Sequence, residues 1–134
     1  MKKENIIELN IGVYESIKLK INRLIAMDIL TKFPQLSKID KESNNKDIEK
    51  NIGISELYQI SIYGLYKMAN ALDNEFTYEK AEEIFEYASN VLTIVNGVKQ
   101  PCDMVLLSKI MDEIQEVFMK EKGKEVQVVD FKME

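Results

Sequence analysis

Glu79, Glu83 and Glu86 stand four and three residues apart, which puts them on one face of a helix. Asp112 and Glu116 repeat the spacing. Carboxylates arranged this way could hold a hard divalent cation or act as an acid/base pair. They are also what a solvated helix face looks like, and no apolar pocket or perturbing partner is evident beside them, so surface is the reading adopted. Cys102 lies where a helix N-terminus would lower the pKa of a thiol. Asp103 beside it opposes that effect, and a small, partly buried residue is the expectation.

The chain of 134 residues contains no histidine. That removes Ser-His and Cys-His nucleophilic sites, together with the usual zinc and di-iron ligand sets. One cysteine cannot build a CxxC site, and the five glycines are too scattered to form a phosphate loop. The inventory points away from an enzyme and implies no metal or cofactor. Tyr58, Tyr63, Tyr66, Tyr78 and Tyr87 cluster in two segments, and there are seven methionines. Such residues fill a core, and they also furnish adaptable protein-binding surfaces.

Elements that would position these residues follow from periodicity. "NIIELNIG" and "SIKLKIN" alternate apolar with polar residues, the pattern of half-buried strands. They form an N-terminal β-hairpin over 5–22, with its turn in 10–16 and Gly12 as the residue for a positive φ. Asn22 is placed to cap a first helix over 23–34, stopped by Pro34. Residues 37–51 are polar and read as a mobile linker.

A helical part spans 53–123. In "SELYQISIYGLYKMANAL" Ser55 is the expected cap, and Gly64 offers a place for close helix approach. Thr77 caps "YEKAEEIFEYASNVLTIV", with the Asn96–Gly97 pair as its stop. The last helix carries Leu107, Ile110, Met111, Ile114, Val117 and Phe118 as a stripe, with Pro101 in its first turn and Gly123 at its end. Residues 124–134 have strand-like composition. They either add a strand to the hairpin or form a loose arm that pairs only with a partner. The expected fold is a single α+β domain, a hairpin followed by about four helices.

Formal net charge is −5, unevenly spread: residues 1–50 hold ten Lys/Arg and eight Asp/Glu, the rest eight and fifteen. No basic stripe is present for nucleic acid. A lone cysteine, no signal-peptide core and no long apolar run place the chain in the cytoplasm.

In element order, residues 5–122 resemble the small tail assembly chaperones of long-tailed bacteriophages and prophages of Gram-positive hosts. The hairpin "IIELNIGVYESIKLKIN" runs into a helix ending at Phe33–Pro34. Then come "ELYQISIYGLYKMANA", "FTYEKAEEIFEYAS" and "MVLLSKIMDEIQEVFMKE". Thr77, Glu79, Lys80 and Ala81 match the family's "T-x-E-E/K-A" phrase. The long 37–51 segment and the Val-rich tail depart from the pattern.

The resemblance implies a non-catalytic chaperone in the host cytoplasm. It would coat the long helical tape-measure protein, keep it soluble, help recruit tail-tube subunits and self-associate. Tyr63, Tyr66, Phe85 and Phe118 are the candidates for client contact, and Ile17, Leu19, Val126 and Val128 for self-association. The alternative is another small interaction module of mobile-element origin, a regulator or an antitoxin-like adaptor.

Overall fold

The structure, a computed structural model, describes residues 5–34, 53–119 and 127–133. The expected linker at 37–51 and the expected helix end at Gly123 lie outside these residues. The described chain is α+β, with an N-terminal hairpin, four helices and a mixed sheet larger than the hairpin alone.

Strands β1 (Asn5–Ile11) and β2 (Tyr14–Ile21) form the hairpin. Ile7 faces Leu19 and Leu9 faces Ile17, so the apolar residues share one side. The ladder slips between Leu9 and Ile11, and Ser16 takes a positive φ of 56° there. The Asn10 side chain accepts a hydrogen bond from the Ser16 N–H at 2.9 Å and donates to Asp130 at 2.6 Å. At the tip Gly12 has φ +54°, and a Cβ there would overlap the Tyr87 hydroxyl. Gly12→Ala is therefore expected to cost about 2 kcal/mol, through left-handed strain and displacement of the Tyr87 ring. Denaturant unfolding measures it.

Helix α1 (Arg23–Lys32) is capped as the sequence implies: Asn22 Oδ1 accepts the Ile25 N–H at 2.9 Å. Helix α2 (Ile54–Asn70) starts two residues earlier than Ser55 as a cap would set. Gly53 is its N-cap and no side chain caps it. Buried Leu57, Ile60, Ser61, Gly64, Leu65, Met68 and Ala69 place α2 in the centre of the helical layer. At Gly64 a Cβ would stand 3.1 Å from Ile110 Cγ2, so the glycine does permit close approach of the last helix. Helix α3 (Tyr78–Ser89) is capped by Thr77, whose hydroxyl accepts the Lys80 N–H at 3.1 Å.

The third helix is shorter than its apolar periodicity implies. Helix α3 ends at Ser89, and Leu92–Val95 is strand β3, paired antiparallel with β4 (Val98–Pro101). Asn96 (φ 52°) and Gly97 (φ 80°) form the two-residue turn of this second hairpin. Two successive positive φ values are what a primed hairpin turn requires. Pro101 closes β4, and helix α4 (Cys102–Met119) begins at the next residue.

The tail is strand β5 (Gln127–Met133). It runs parallel to β1, with Leu9 beside Val129 and Ile11 beside Phe131, and it meets β3 antiparallel at Thr93–Met133. The sheet order is β2-β1-β5-β3-β4. Ile7, Leu9, Ile11, Leu19, Ile21 and Phe131 are buried on the helix side. Lys18, Val128, Asp130 and Lys132 are exposed on the other.

Candidate functional site

Among the described residues the helical layer leaves a groove along α4. Its floor is one side of α4, from Met104 and Val105 through Leu107, Ser108 and Lys109 to Met111, Asp112 and Gln115. Its walls are Leu57 from the first turn of α2 and Val95 and Gln100 from the second hairpin, and its volume is about 420 Å³. Met104 to Gln115 spans roughly 16 Å at 1.5 Å per residue, three turns of helix.

The sequence builds the groove by giving α4 two apolar sides. Leu106, Ile110, Ile114 and Val117 point into the core. Met104 and Val105, half-buried, carry apolar surface round to the flank. The start of α4 is fixed by three contacts. The Cys102 N–H donates to the Val91 carbonyl at 3.0 Å, and Asp103 Oδ1 accepts the Met104 N–H at 2.8 Å. The Tyr58 hydroxyl donates to Asp103 Oδ2 at 2.7 Å. Burial first, and then the Asp103 carboxylate, hold the Tyr58 hydroxyl well above its ordinary pKa.

Charge sits along the rim. Lys109 Nζ lies 4.0 Å from Glu113 Oε1, and the Glu113 side chain is almost fully enclosed. The Asp112 carboxyl is held above the usual carboxylate range, chiefly by desolvation; Lys109 pulls it back and Glu116 pushes it further up.

The tyrosines gather elsewhere. Phe33 and Tyr63 pack edge to face at 5.6 Å, Tyr63 and Tyr66 lie 6.1 Å apart, and Tyr66 meets Tyr78 edge to face at 5.9 Å. Lys32 lies 5.6 Å from the centre of the Tyr63 ring and Lys67 5.9 Å from that of Tyr66. Lys67 also pairs with Asp28 at 2.8 Å. These rings, all half-buried except the exposed Tyr78, join α1, α2 and α3, so much of their surface is spent on one another.

The expected client contacts do not converge on one surface. Tyr63 and Tyr66 are neighbours in this row. Phe85 is fully buried, edge to face with Tyr58 at 5.3 Å, and is core rather than surface. The Phe118 side chain lies outside the description.

Of the self-association candidates, Leu19 is buried in the core and Ile17 half-buried against it. Val128 is 55% exposed on the open sheet face, and Val126 lies outside the described residues. The tail is no loose arm: β5 is flanked by β1 and β3, and the sheet edges are β2 and β4.

Glu79, Glu83 and Glu86 are exposed, as a solvated face requires. Lys80, lying 3.3 Å from Glu83, and then the Tyr14 hydroxyl lower the Glu83 pKa. No group of three or more acidic or cysteine side chains suited to a metal occurs among the described residues. Cys102 is fully enclosed, and burial, followed by Asp103, pushes its thiol up to about 11. Its place at the head of α4 therefore does not make it a nucleophile. Among the described residues no helix is long and apolar enough to cross a membrane.

The groove itself escaped the sequence reading. Its signal was the pair Met104 and Val105, apolar residues lying off the main stripe of α4. Compared with known proteins, the chain matches no family model, no curated protein and no solved structure.

Proposed function

We propose that the chain is a non-catalytic protein-binding module that seats an amphipathic helix of its client in the groove along α4. More specifically, we propose a tail assembly chaperone whose client is the tape-measure protein of a long-tailed phage or prophage, and which helps recruit tail-tube subunits around it. The groove carries the binding part of the reading. It is three turns long, mostly apolar, and contains two methionines, Met104 and Met111, whose unbranched side chains adapt to varied partners. The resemblance in element order supports the client's identity. Residues 127–133, which supply strand β5, lie beyond the 5–122 range of that resemblance.

The test is co-expression with the long coiled-coil protein encoded beside this chain in its source genome, comparing wild type with Met104→Asp and Val105→Asp. Both positions are half-buried, so circular dichroism should report a native fold. The client should be soluble with the wild type, in a complex whose mass light scattering reports. Its soluble yield should fall at least about tenfold with either variant, as truncating a binding hot spot would do. Undiminished yield with folded variants would remove the groove from the reading. A client that stays insoluble with the wild type would remove tail assembly.

A further inference from the structure

The second hairpin carries a chemistry of its own. Asn96 is the single asparagine in the sequence that precedes a glycine. The pair occupies both turn positions between β3 and β4, where Val95 faces Val98. Both residues are exposed, and both have positive φ, 52° and 80°. A Cβ placed on Gly97 would meet no heavy atom within 4 Å. In a two-residue turn closed by Val95 and Val98, the Gly97 N–H lies outside the ladder.

Other asparagine side chains are tied down. Asn10 donates to Asp130, Asn22 accepts the Ile25 N–H, Asn70 donates to the Phe76 carbonyl and Asn90 to the Glu86 carbonyl. Among the described residues the Asn96 side chain makes no such bond. It can swing over its own peptide link, and Gly97, lacking a Cβ, leaves that approach open.

We propose that Asn96 is a self-modification site: the Gly97 amide nitrogen displaces the side-chain amide of Asn96, and the isoaspartyl product that follows unlatches β4 from β3. The nitrogen, deprotonated by hydroxide, attacks Asn96 Cγ. The N–Cγ bond forms, the Cγ–Nδ2 bond breaks, and ammonia leaves with a proton from solvent. The cyclic imide then takes up one water at either carbonyl. Opening at one restores the backbone with an aspartyl side chain. Opening at the other carries the backbone through the side-chain carbon and leaves the α-carboxylate as a branch. Either product adds one negative charge.

The two products differ in what they do to the fold. Aspartate before glycine suits the same primed turn, so the aspartyl product keeps β3 and β4 in register. The isoaspartyl link adds one carbon to a loop whose length fixes that register. Strand β3 stays in place through its pairing with β5 at Thr93–Met133 and Ile94–Lys132. The base of the hairpin is held by the Cys102 N–H on the Val91 carbonyl. Strand β4 stands at the sheet edge with β3 as its neighbour, so the release falls on residues 98–100. Gln100 and Val95 wall the α4 groove, which loses that wall as the protein ages.

The full chain is aged in mildly alkaline buffer and sampled over time. Peptide mapping by mass spectrometry should show a gain of about 1 Da at residues 96–97, the exchange of an amide for an acid. The peptide should separate into two products, one of them labelled by an isoaspartyl methyltransferase. Conversion at Asn96 should be at least about tenfold faster than at Asn10, Asn22, Asn70 or Asn90. Its rate should rise about tenfold per pH unit, following the deprotonated amide. In the isoaspartyl fraction, hydrogen-exchange protection at 98–100 should fall at least about tenfold, with β1 and β2 unchanged. Freshly purified Asn96→Asp supplies the charge without the isomer and should keep that protection.

Retention of the Asn96 amide in the folded chain, with the urea-unfolded chain as the converting control, would overturn the site. Isoaspartate formed with protection at 98–100 intact would overturn the release of β4. Equal loss of protection in fresh Asn96→Asp would assign the release to charge and overturn the role of the backbone isomer.

Discussion

Replacing Phe85 by Ala is expected to destabilise the fold by about 3–5 kcal/mol. The ring is fully buried among the helices and packs edge to face on Tyr58 at 5.3 Å, so truncation loses both transfer energy and contacts around the void left behind. A domain of this size holds roughly 5–15 kcal/mol in total, so the variant should melt roughly 10–20 °C lower. Thermal unfolding by circular dichroism measures it, with Glu86→Ala on the exposed face as a control expected within about 0.5 kcal/mol of wild type. The same measurement separates core from client surface. Lost client binding at an unchanged melting temperature would mean that the ring contacts a partner, against its burial here.

The second large effect concerns the tail. Ending the chain after residue 126 removes β5 and should abolish cooperative unfolding at 25 °C. The deletion takes away buried Phe131 and the half-buried Val129 and Met133, at about 1.5–3 kcal/mol for a fully buried side chain of this size. It also leaves two facing strand edges, on β1 and β3, with backbone groups stripped of partners. Together these losses rival the whole stability of the domain. Amide hydrogen exchange would locate the damage: β1 and β3 should lose protection together. A truncated chain that melts like the full one would show that β5 is dispensable.

How legible this fold was depended on whether an element declares itself locally. The first hairpin did, because Ile7, Leu9 and Ile11 and then Leu19 and Ile21 alternate without interruption and Gly12 marks the turn. So did α1 and α3, through the side chains of Asn22 and Thr77. The second hairpin declared itself too, in Asn96–Gly97 after the β-branched run Thr93–Val95, but the apolar stretch from Val91 to Val95 follows a helix without a break. A short apolar run fits either period, and the asparagine–glycine pair serves equally as a helix stop. Thr93, Ile94 and Val95 were the arbiters, since three successive β-branched residues favour a strand.

The tail's composition announced a strand. Nothing in it announced a parallel partner some 120 residues away, because parallel pairing leaves no mark on the loop that joins the strands. The groove was hidden for the same reason. Leu57, Val95, Gln100 and the flank of α4 meet only when three separate elements are in place. The aromatic residues misled in the opposite way. They were conspicuous in the sequence, but Phe85 is core and Tyr63 and Tyr66 mainly join helices.

The position of β5 has a consequence for how the protein comes into being. A ribosome delivers β1 some 120 residues before its central neighbour β5. The first hairpin can close within microseconds of emerging. Its inner edge then stands open until β5 leaves the exit tunnel, several seconds later at ordinary elongation rates. Throughout that interval the nascent chain offers a strand edge bearing Ile7, Leu9 and Ile11 to any extended segment nearby. The sheet is completed only once β5 has emerged, so the rate of synthesis sets how long that edge is exposed.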